Sequence, residues 1–310
     1  MPSPAPSGLA EPAPASVAHP PLRAALLMAV SAVFFGAMAV TIRLASRQLH
    51  AFEIAFFRNL FGALFASPLL WRHGLGLLRT DKFGFYLARC VIGIGSMLAG
   101  FWAIVHLPLA QAISLSYSTP LFVTIGAVVF LGEVVRVRRW SAVLVGFVGV
   151  LVIVRPGAAS FTTASLVPLF AAALSATTAI SIKYLSRTER ADAIVLMTTL
   201  LWVPLSLPTA LWVWQWPQPM TWLWVGLAGL FGTSGHMFWT RALQRGDVSM
   251  LTPISYLQLP VVALAGWALF DETLDRYTVL GAAIIIASNV YIAQREARLA
   301  RQRQVAAASA

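Results

Sequence analysis

Ten apolar runs fill this chain almost end to end, most of them close to the twenty or so residues a helix needs to cross a bilayer. Hydrocarbon offers no hydrogen-bond partner, so a run of this kind must satisfy its backbone internally, which means a helix or a closed barrel. The runs are continuously apolar rather than alternating, which excludes the barrel. Of 310 residues, 59% are hydrophobic and 11% charged, where a soluble domain carries about a quarter charged. The spans are predicted at 23–42, 53–71, 83–105, 110–131, 140–155, 164–184, 193–213, 222–242, 248–270 and 277–294. Their short connections leave no room for a soluble domain. The expected class is therefore an all-α integral membrane protein with ten transmembrane helices.

The ten spans are one set of five written twice. A shift of 139 residues lays Ser116 and Tyr117 on Ser255 and Tyr256, Glu133 on Glu272, and Ala103 on Ala242. A shift of 140 lays Ile42 and Arg43 on Ile182 and Lys183, and Ser46 and Arg47 on Ser186 and Arg187. Five is odd, so the second set crosses in the opposite sense, giving two inverted five-helix repeats. That plan recurs in secondary transporters, with the substrate near midplane between the halves. The units expected are 22–156 and 160–294, halves of one membrane domain. A tail at 1–21, with seven prolines and no apolar run, is expected to be disordered. It lacks the basic start of a signal peptide, so the first span is expected to be retained. Residues 295–310 form a basic tail.

Charge distribution orients the spans. With the N-terminus inside, the inner segments hold sixteen of the 22 Lys and Arg residues, including Arg72, Arg79 and Lys82, Arg136, Arg138 and Arg139, and the C-terminal arginines. The outer segments hold four: Arg43, Arg47, Arg155 and Arg276. This bias predicts that both termini are cytoplasmic. It also accounts for the net charge of +11 without nucleic acid. The outer connection after span seven carries Trp212, Trp214, Trp216, Trp222 and Trp224, which reads as an interfacial aromatic belt. Cys90, the single cysteine, lies in an apolar span, so no intramolecular disulfide exists.

Arg58 and Arg89 lie within spans, where a charge is costly unless it faces a cavity or a partner. Arg89 heads a stripe with Gly93, Ser96 and Gly100 on one helix face, open to a bidentate anionic acceptor. The alternative for both arginines is snorkelling to a nearby membrane edge, and for Arg58 with Asn59 also the satisfaction of a neighbouring helix. Span eight aligns Thr233, His236 and Thr240 beside Trp239, as a cavity wall or as helix-packing hydrogen bonds. Spans four and nine offer Ser114, Tyr117 and Thr124, then Thr252, Ser255, Tyr256 and Gln258. The repeat puts Tyr117 and Tyr256 in matching places, expected to face a midplane cavity from opposite sides. Pro120, Pro253 and Pro260 mark where these two spans break, a pointer to transporter sites. Glu133 and Glu272 fall at membrane edges in a structural role, with Arg139, Arg276 or nearby backbone donors as expected partners. None of the acids is mid-span, and Glu53 comes closest.

Ten spans in a five-plus-five repeat, with LGE at 131–133 and FDE at 270–272 closing spans four and nine, resemble the drug/metabolite transporter superfamily and its EamA-type members. The blocks FEIAFFRNLFGALFASPLLW and RRWSAVLVGFVGVLVIVRPG resemble that family's second and fifth spans. The resemblance covers residues 22–296. It implies a secondary transporter working by alternating access on a small organic metabolite. Members carry amino acids, nucleotide precursors, riboflavin, S-adenosylmethionine or metallophores, in either direction. The first half is closest in wording to riboflavin and S-adenosylmethionine importers, and amino-acid or metallophore export is the alternative.

From another class, a lipid-modifying membrane enzyme would need an acid–base pair or clustered metal ligands. No HxxxD, HExxH or Cys/His cluster appears, so the chain reads as no enzyme, with no cofactor and no metal. The expected substrate-binding set is Arg58, Arg89, Ser96, Tyr117, His236, Trp239, Tyr256 and Gln258. The expected partners are a small-molecule substrate, the lipid bilayer and a second copy in a homodimer, with no nucleic acid. The orientation is testable by single-cysteine labelling on a Cys90→Ser background. A cysteine in place of Leu78 should react with an impermeant thiol reagent only after the membrane is opened, and labelling of intact cells would reverse the topology.

Overall fold

The computed structural model describes residues 22–73, 80–131, 137–158, 161–185, 191–243, 245 and 248–308. The expected tail at 1–21, Glu133 and Arg136 lie outside the described residues, as do the side chains of Arg138, Arg139, Lys183, Thr240 and Thr252.

Twelve α-helices follow one another among the described residues. They are α1 (Leu22–Ala45), α2 (Ala51–His73), α3 (Phe83–His106), α4 (Leu109–Ser116), α5 (Thr119–Leu131) and α6 (Val137–Val154). After a 3-10 turn at Thr163–Leu166 come α7 (Val167–Leu185), α8 (Ala191–Trp212), α9 (Pro219–Leu243), α10 (Val248–Ser255), α11 (Gln258–Phe270) and α12 (Arg276–Ala308). They make ten spans, because α4 with α5, and α10 with α11, are each one span cut in two. The start of α1 and the end of α12 then lie on one side, here the terminal face, and the other side is the far face. The last helix runs on without interruption to Ala308, so the basic tail continues span ten.

The two cuts fall at Tyr117–Ser118 and Tyr256–Leu257, the same place in each repeat. Proline supplies the cause. Pro120 and Pro260 sit in the first turns of α5 and α11, where a missing N–H costs nothing, but neither can bond to the preceding turn. Thr119 Oγ1 instead donates to the Ser116 carbonyl at 2.8 Å, and Ser118 Oγ to the Leu115 carbonyl at 2.7 Å. Pro253 lies inside α10 without ending it.

The halves interlock. The first span of each packs on the third span of the other, α1 on α9 and α7 on α3, while α6 lies along α12 and α2 along α8. Small residues set these contacts, since lipid gives apolar helices no reason to cluster. Where α6 meets α12, a Cβ on Gly281 would stand 2.5 Å from the Gly149 carbonyl oxygen. Ser31 on α1 donates to the Gly235 carbonyl on α9 at 2.9 Å, and Ser96 on α3 to the Ala171 carbonyl on α7 at 2.8 Å. Shifted by 140 and 139, Ser31 becomes Ala171 and Ser96 becomes Gly235. The same contact is made twice, with the hydroxyl on opposite sides of it. Outward, Val33, Leu144, Val148, Leu264 and Trp267 present an apolar surface to lipid.

The far face is tied shut by hydrogen bonds at helix ends. Glu53 is fully buried in the first turn of α2, accepts the His50 N–H at 3.0 Å as a capping box does, and also accepts the Gln215 N–H from the α8–α9 connection. Gln48 Nε2 donates to the Trp216 carbonyl and Gln48 Oε1 accepts the Gln218 N–H, both at 2.9 Å. The tryptophan belt divides accordingly: Trp212 and Trp216 are exposed, whereas the rings of Trp214 and Trp222 lie 5.4 and 5.0 Å from Phe57. Glu53→Ala leaves two backbone donors without their acceptor, a loss of roughly 1–3 kcal/mol. Its apparent unfolding temperature in detergent should fall well below that of Glu53→Gln, which keeps an acceptor, and equal values would refute this clamp.

Candidate functional site: two interrupted spans and two buried arginines

At the level of the two cuts, the first and second halves touch. The rings of Tyr117 and Tyr256 meet edge to face with centroids 4.8 Å apart. The two tyrosines that the repeat makes equivalent therefore contact each other directly, where opposite walls of a cavity were expected. Gln258 opens α11 one residue past the second cut, half-buried. Around this point the faces differ. The far-face halves α4 and α11 pack together, whereas no comparable contact joins their terminal-face counterparts α5 and α10 among the described residues.

A charged clasp holds the closed side. Arg43, near the end of α1, donates to Glu272 Oε1 at 3.0 Å and to the carbonyls of Ile104, Val105 and Leu107 at the end of α3. Glu272 Oε2 accepts the N–H of Leu109, the first residue of α4, at 2.8 Å. Local sequence aims this carboxylate. Asp271 takes a left-handed conformation that ends α11, a geometry Asp tolerates. The chain then folds back over Gly266, where a Cβ would stand 2.8 Å from Glu272 Oε2. Glu272 accepts a backbone N–H, as one of its expected alternatives had it, and its ion-pair partner is Arg43, from a helix 229 residues earlier, rather than Arg276. Beside the clasp a cavity of about 170 Å³ opens on the far face, lined by Gln111, Glu272 and the Arg155–Asp275 ion pair, whose N–O distance is 2.9 Å.

The intramembrane arginines sit in related interfaces. Arg58, seven residues into α2 and 6% exposed, donates Nη1 to Asn59 Oδ1 at 3.1 Å, and Asn59 in turn bonds Ser206 on α8 at 3.3 Å. Its Nε is buried without a partner among the described residues. The guanidinium lies against Gly232 on α9, where a Cβ would come within 2.6 Å of it. One turn on, the exposed His236 meets Phe35 edge to face at 5.0 Å, and Thr233 Oγ1 donates to the Gly62 carbonyl at 3.3 Å. Arg89, six residues into α3 and 7% exposed, donates to Thr198 on α8 at 2.7 Å. The next turn of α3 brings Gly93 to the indole of Trp202. Gly93 and Gly232 are equivalent in the repeat and lie in matching contacts, α3 on α8 and α9 on α2, but both arginines come from the first half. Neither arginine joins a carboxylate in the described ion pairs.

The expected site residues thus fall into three groups. Tyr117 and Tyr256 meet at the cuts, with Gln258 beside them. Arg58 lies in the α2–α9 interface, His236 meets Phe35 of α1 one turn along α9, and Trp239 is exposed on α9. Arg89 and Ser96 are engaged by α8 and α7, where Ser96 Oγ also lies 2.6 Å from Ser175 Oγ. Two contributors escaped the sequence reading. Arg43 looked like an outer-loop charge, and Asn289, on α12, donates Nδ2 to the Tyr117 carbonyl at 2.7 Å. The signal for Asn289 was present as an isolated polar pair, Ser288 and Asn289, in the middle of span ten.

Comparison with known proteins gives this arrangement a family. The profile of the EamA-like transporter family matches residues 22–155 and again 162–294. A riboflavin transporter of Vibrio cholerae is 33% identical over 93% of this chain and 98% of its own length. An S-adenosylmethionine uptake transporter of Rickettsia felis is 30% identical over 80% of this chain and 85% of its own. A solved crystal structure that is 19% identical shares the fold over 87% of this chain and 97% of that one, with a TM-score of 0.59. Two matched repeats, ten helical spans and these relatives establish that the chain belongs to the EamA-like transporter family, within the drug/metabolite transporter superfamily, and is a secondary transporter of small organic metabolites.

Proposed function

We propose that the chain imports a planar heterocyclic metabolite of the riboflavin or S-adenosylmethionine kind across the bacterial inner membrane, with both termini in the cytoplasm. The observation that carries this reading is the meeting of Tyr117 and Tyr256 at two interrupted spans. Broken spans in corresponding positions of inverted repeats are where such carriers hold their solute. Two aromatic faces with hydroxyl handles suit a flat, polar-edged molecule. Arg58, buried without a carboxylate partner among the described residues, adds a donor for an anionic or electron-rich group of the same solute. The packing of α4 on α11, with no comparable contact between α5 and α10 among the described residues, fits a carrier open to the cytoplasm, with Arg43–Glu272 on the shut side. The two relatives named above are described as transporters of such molecules, and the inner-membrane orientation rests on the Lys and Arg bias. Residues 22–156 and 160–294 act in this reading as two halves of one carrier.

Counterflow of labelled riboflavin into proteoliposomes loaded with unlabelled riboflavin tests the reading directly. Arg58→Lys keeps the charge but loses the planar fork, so uptake should fall about tenfold, equivalent to about 1.4 kcal/mol. Tyr117→Phe and Tyr256→Phe should raise the apparent KM by smaller and similar factors. Three variants indistinguishable from the wild type would remove the site from this interface.

The driving force follows from where the carboxylates are. Glu53, Asp81, Asp271, Glu272 and Asp275 all lie at helix ends or in connections. We propose facilitated exchange or potential-driven transport, with His236 as the one expected proton carrier. Counterflow should persist after the pH gradient is collapsed. A requirement for that gradient that survives His236→Gln would overturn this assignment.

A further inference from the structure

Asn289 belongs to a polar cluster that the carrier reading leaves unexplained. The cut between α4 and α5 frees the Tyr117 carbonyl, because the Leu121 N–H bonds to Ser118 at 2.9 Å instead. Asn289 Nδ2 donates to that freed carbonyl at 2.7 Å. A carbonyl only accepts, so this bond settles which end of the amide is nitrogen, and Oδ1 must point elsewhere. Oδ1 is buried with no partner among the described residues, and the hydroxyls of Tyr117 and Tyr256 are in the same condition. Asn289 is 2% exposed and Tyr256 8%, and the amide lies within interaction reach of the Tyr256 hydroxyl, although the two do not meet in hydrogen-bond geometry. Three buried polar atoms left unpaired around one contact are unusual, since each keeps its full desolvation cost.

The donor and acceptor count selects the chemistry that would pair them. Oδ1 can only accept, whereas the two hydroxyls can donate to a neighbour or accept from one. A carboxylate or phosphate offers acceptors alone and would leave Oδ1 unpaired. A planar ring whose N–H stands between two carbonyls supplies a donor for Oδ1 and an acceptor for each hydroxyl. Resting on the carrier reading above, we propose that Asn289 is a specificity-determining residue which accepts the imide N–H of a flat heterocycle, while Tyr117 and Tyr256 part to hold its ring and donate to the flanking carbonyls.

Equilibrium binding to the purified, full-length protein tests this with two probes, riboflavin and its N3-methyl analogue, which differ at that N–H. A site built around a substrate N–H rejects the analogue lacking it, so the wild type should prefer riboflavin by about a hundredfold or more. Asn289→Ala should lose that preference to within about threefold, chiefly by weakening riboflavin. Tyr256→Phe should weaken both ligands and leave their ratio standing, which separates a lost reader from a loosened pocket. If Asn289→Ala does not purify as a single species, the wild-type ratio and its persistence in Tyr256→Phe still decide. A wild type that does not discriminate, or an Asn289→Ala protein that still does, overturns the assignment. Riboflavin counterflow without discrimination would sink this inference and leave the proposed function intact. A wild type that binds neither flavin would sink both this inference and the riboflavin class, leaving the family standing.

Discussion

Hydrocarbon supplies neither donors nor acceptors, and the organisation of this protein follows from where its chain can nonetheless stop being helical. Among the described residues eight spans run as unbroken helices, one of them, α8, carrying Pro204 and Pro208 inside it. The fourth and ninth do not, and the freed groups must be covered by protein. Thr119, Ser118 and Asn289 do this for span four, each taking a carbonyl at the cut. An unpaired buried carbonyl or N–H costs about 1–3 kcal/mol, so a break survives at midplane only where neighbours meet it. That requirement brings α12 to the cut and makes the centre of the molecule polar.

The two repeats share a contact scheme without sharing its chemistry. Ser31 with Gly235 and Ser96 with Ala171 join equivalent helix pairs by the same bond with donor and acceptor roles exchanged between spans. Gly93 and Gly232 occupy one position, yet the first meets an indole and the second a guanidinium. Packing geometry is thus common to both halves, while the chemically active groups are distributed unequally.

Closure of the far face rests on ends of helices rather than on their flanks. Arg43 collects three carbonyls at the end of α3 and one carboxylate, and that carboxylate caps α4. Glu53 performs a similar service between α2 and the α8–α9 connection. These bonds are directional and few, so a small rigid-body shift can release them together. Packed apolar flanks would yield less abruptly.

Much of the architecture was legible in the residues because lipid makes composition decisive. Apolar run length announces a span, an odd repeat dictates inversion, and proline in matching spans marks the breaks. Tyr117 and Tyr256 could be paired from the 139-residue shift alone. Other features could be decided only by the tertiary structure. These helices are apolar nearly all round, so no periodicity says which face turns inward, and Ser96 could not be assigned to α7 rather than to a cavity. Arg43 reads as a loop charge until the fold sets Glu272 beside it from 229 residues away. Asn289 gains meaning only when span ten crosses the cut in span four. The physical reason is common to all three: sequence specifies what each segment can bury, whereas the partner of a buried polar group depends on which segments the fold brings together.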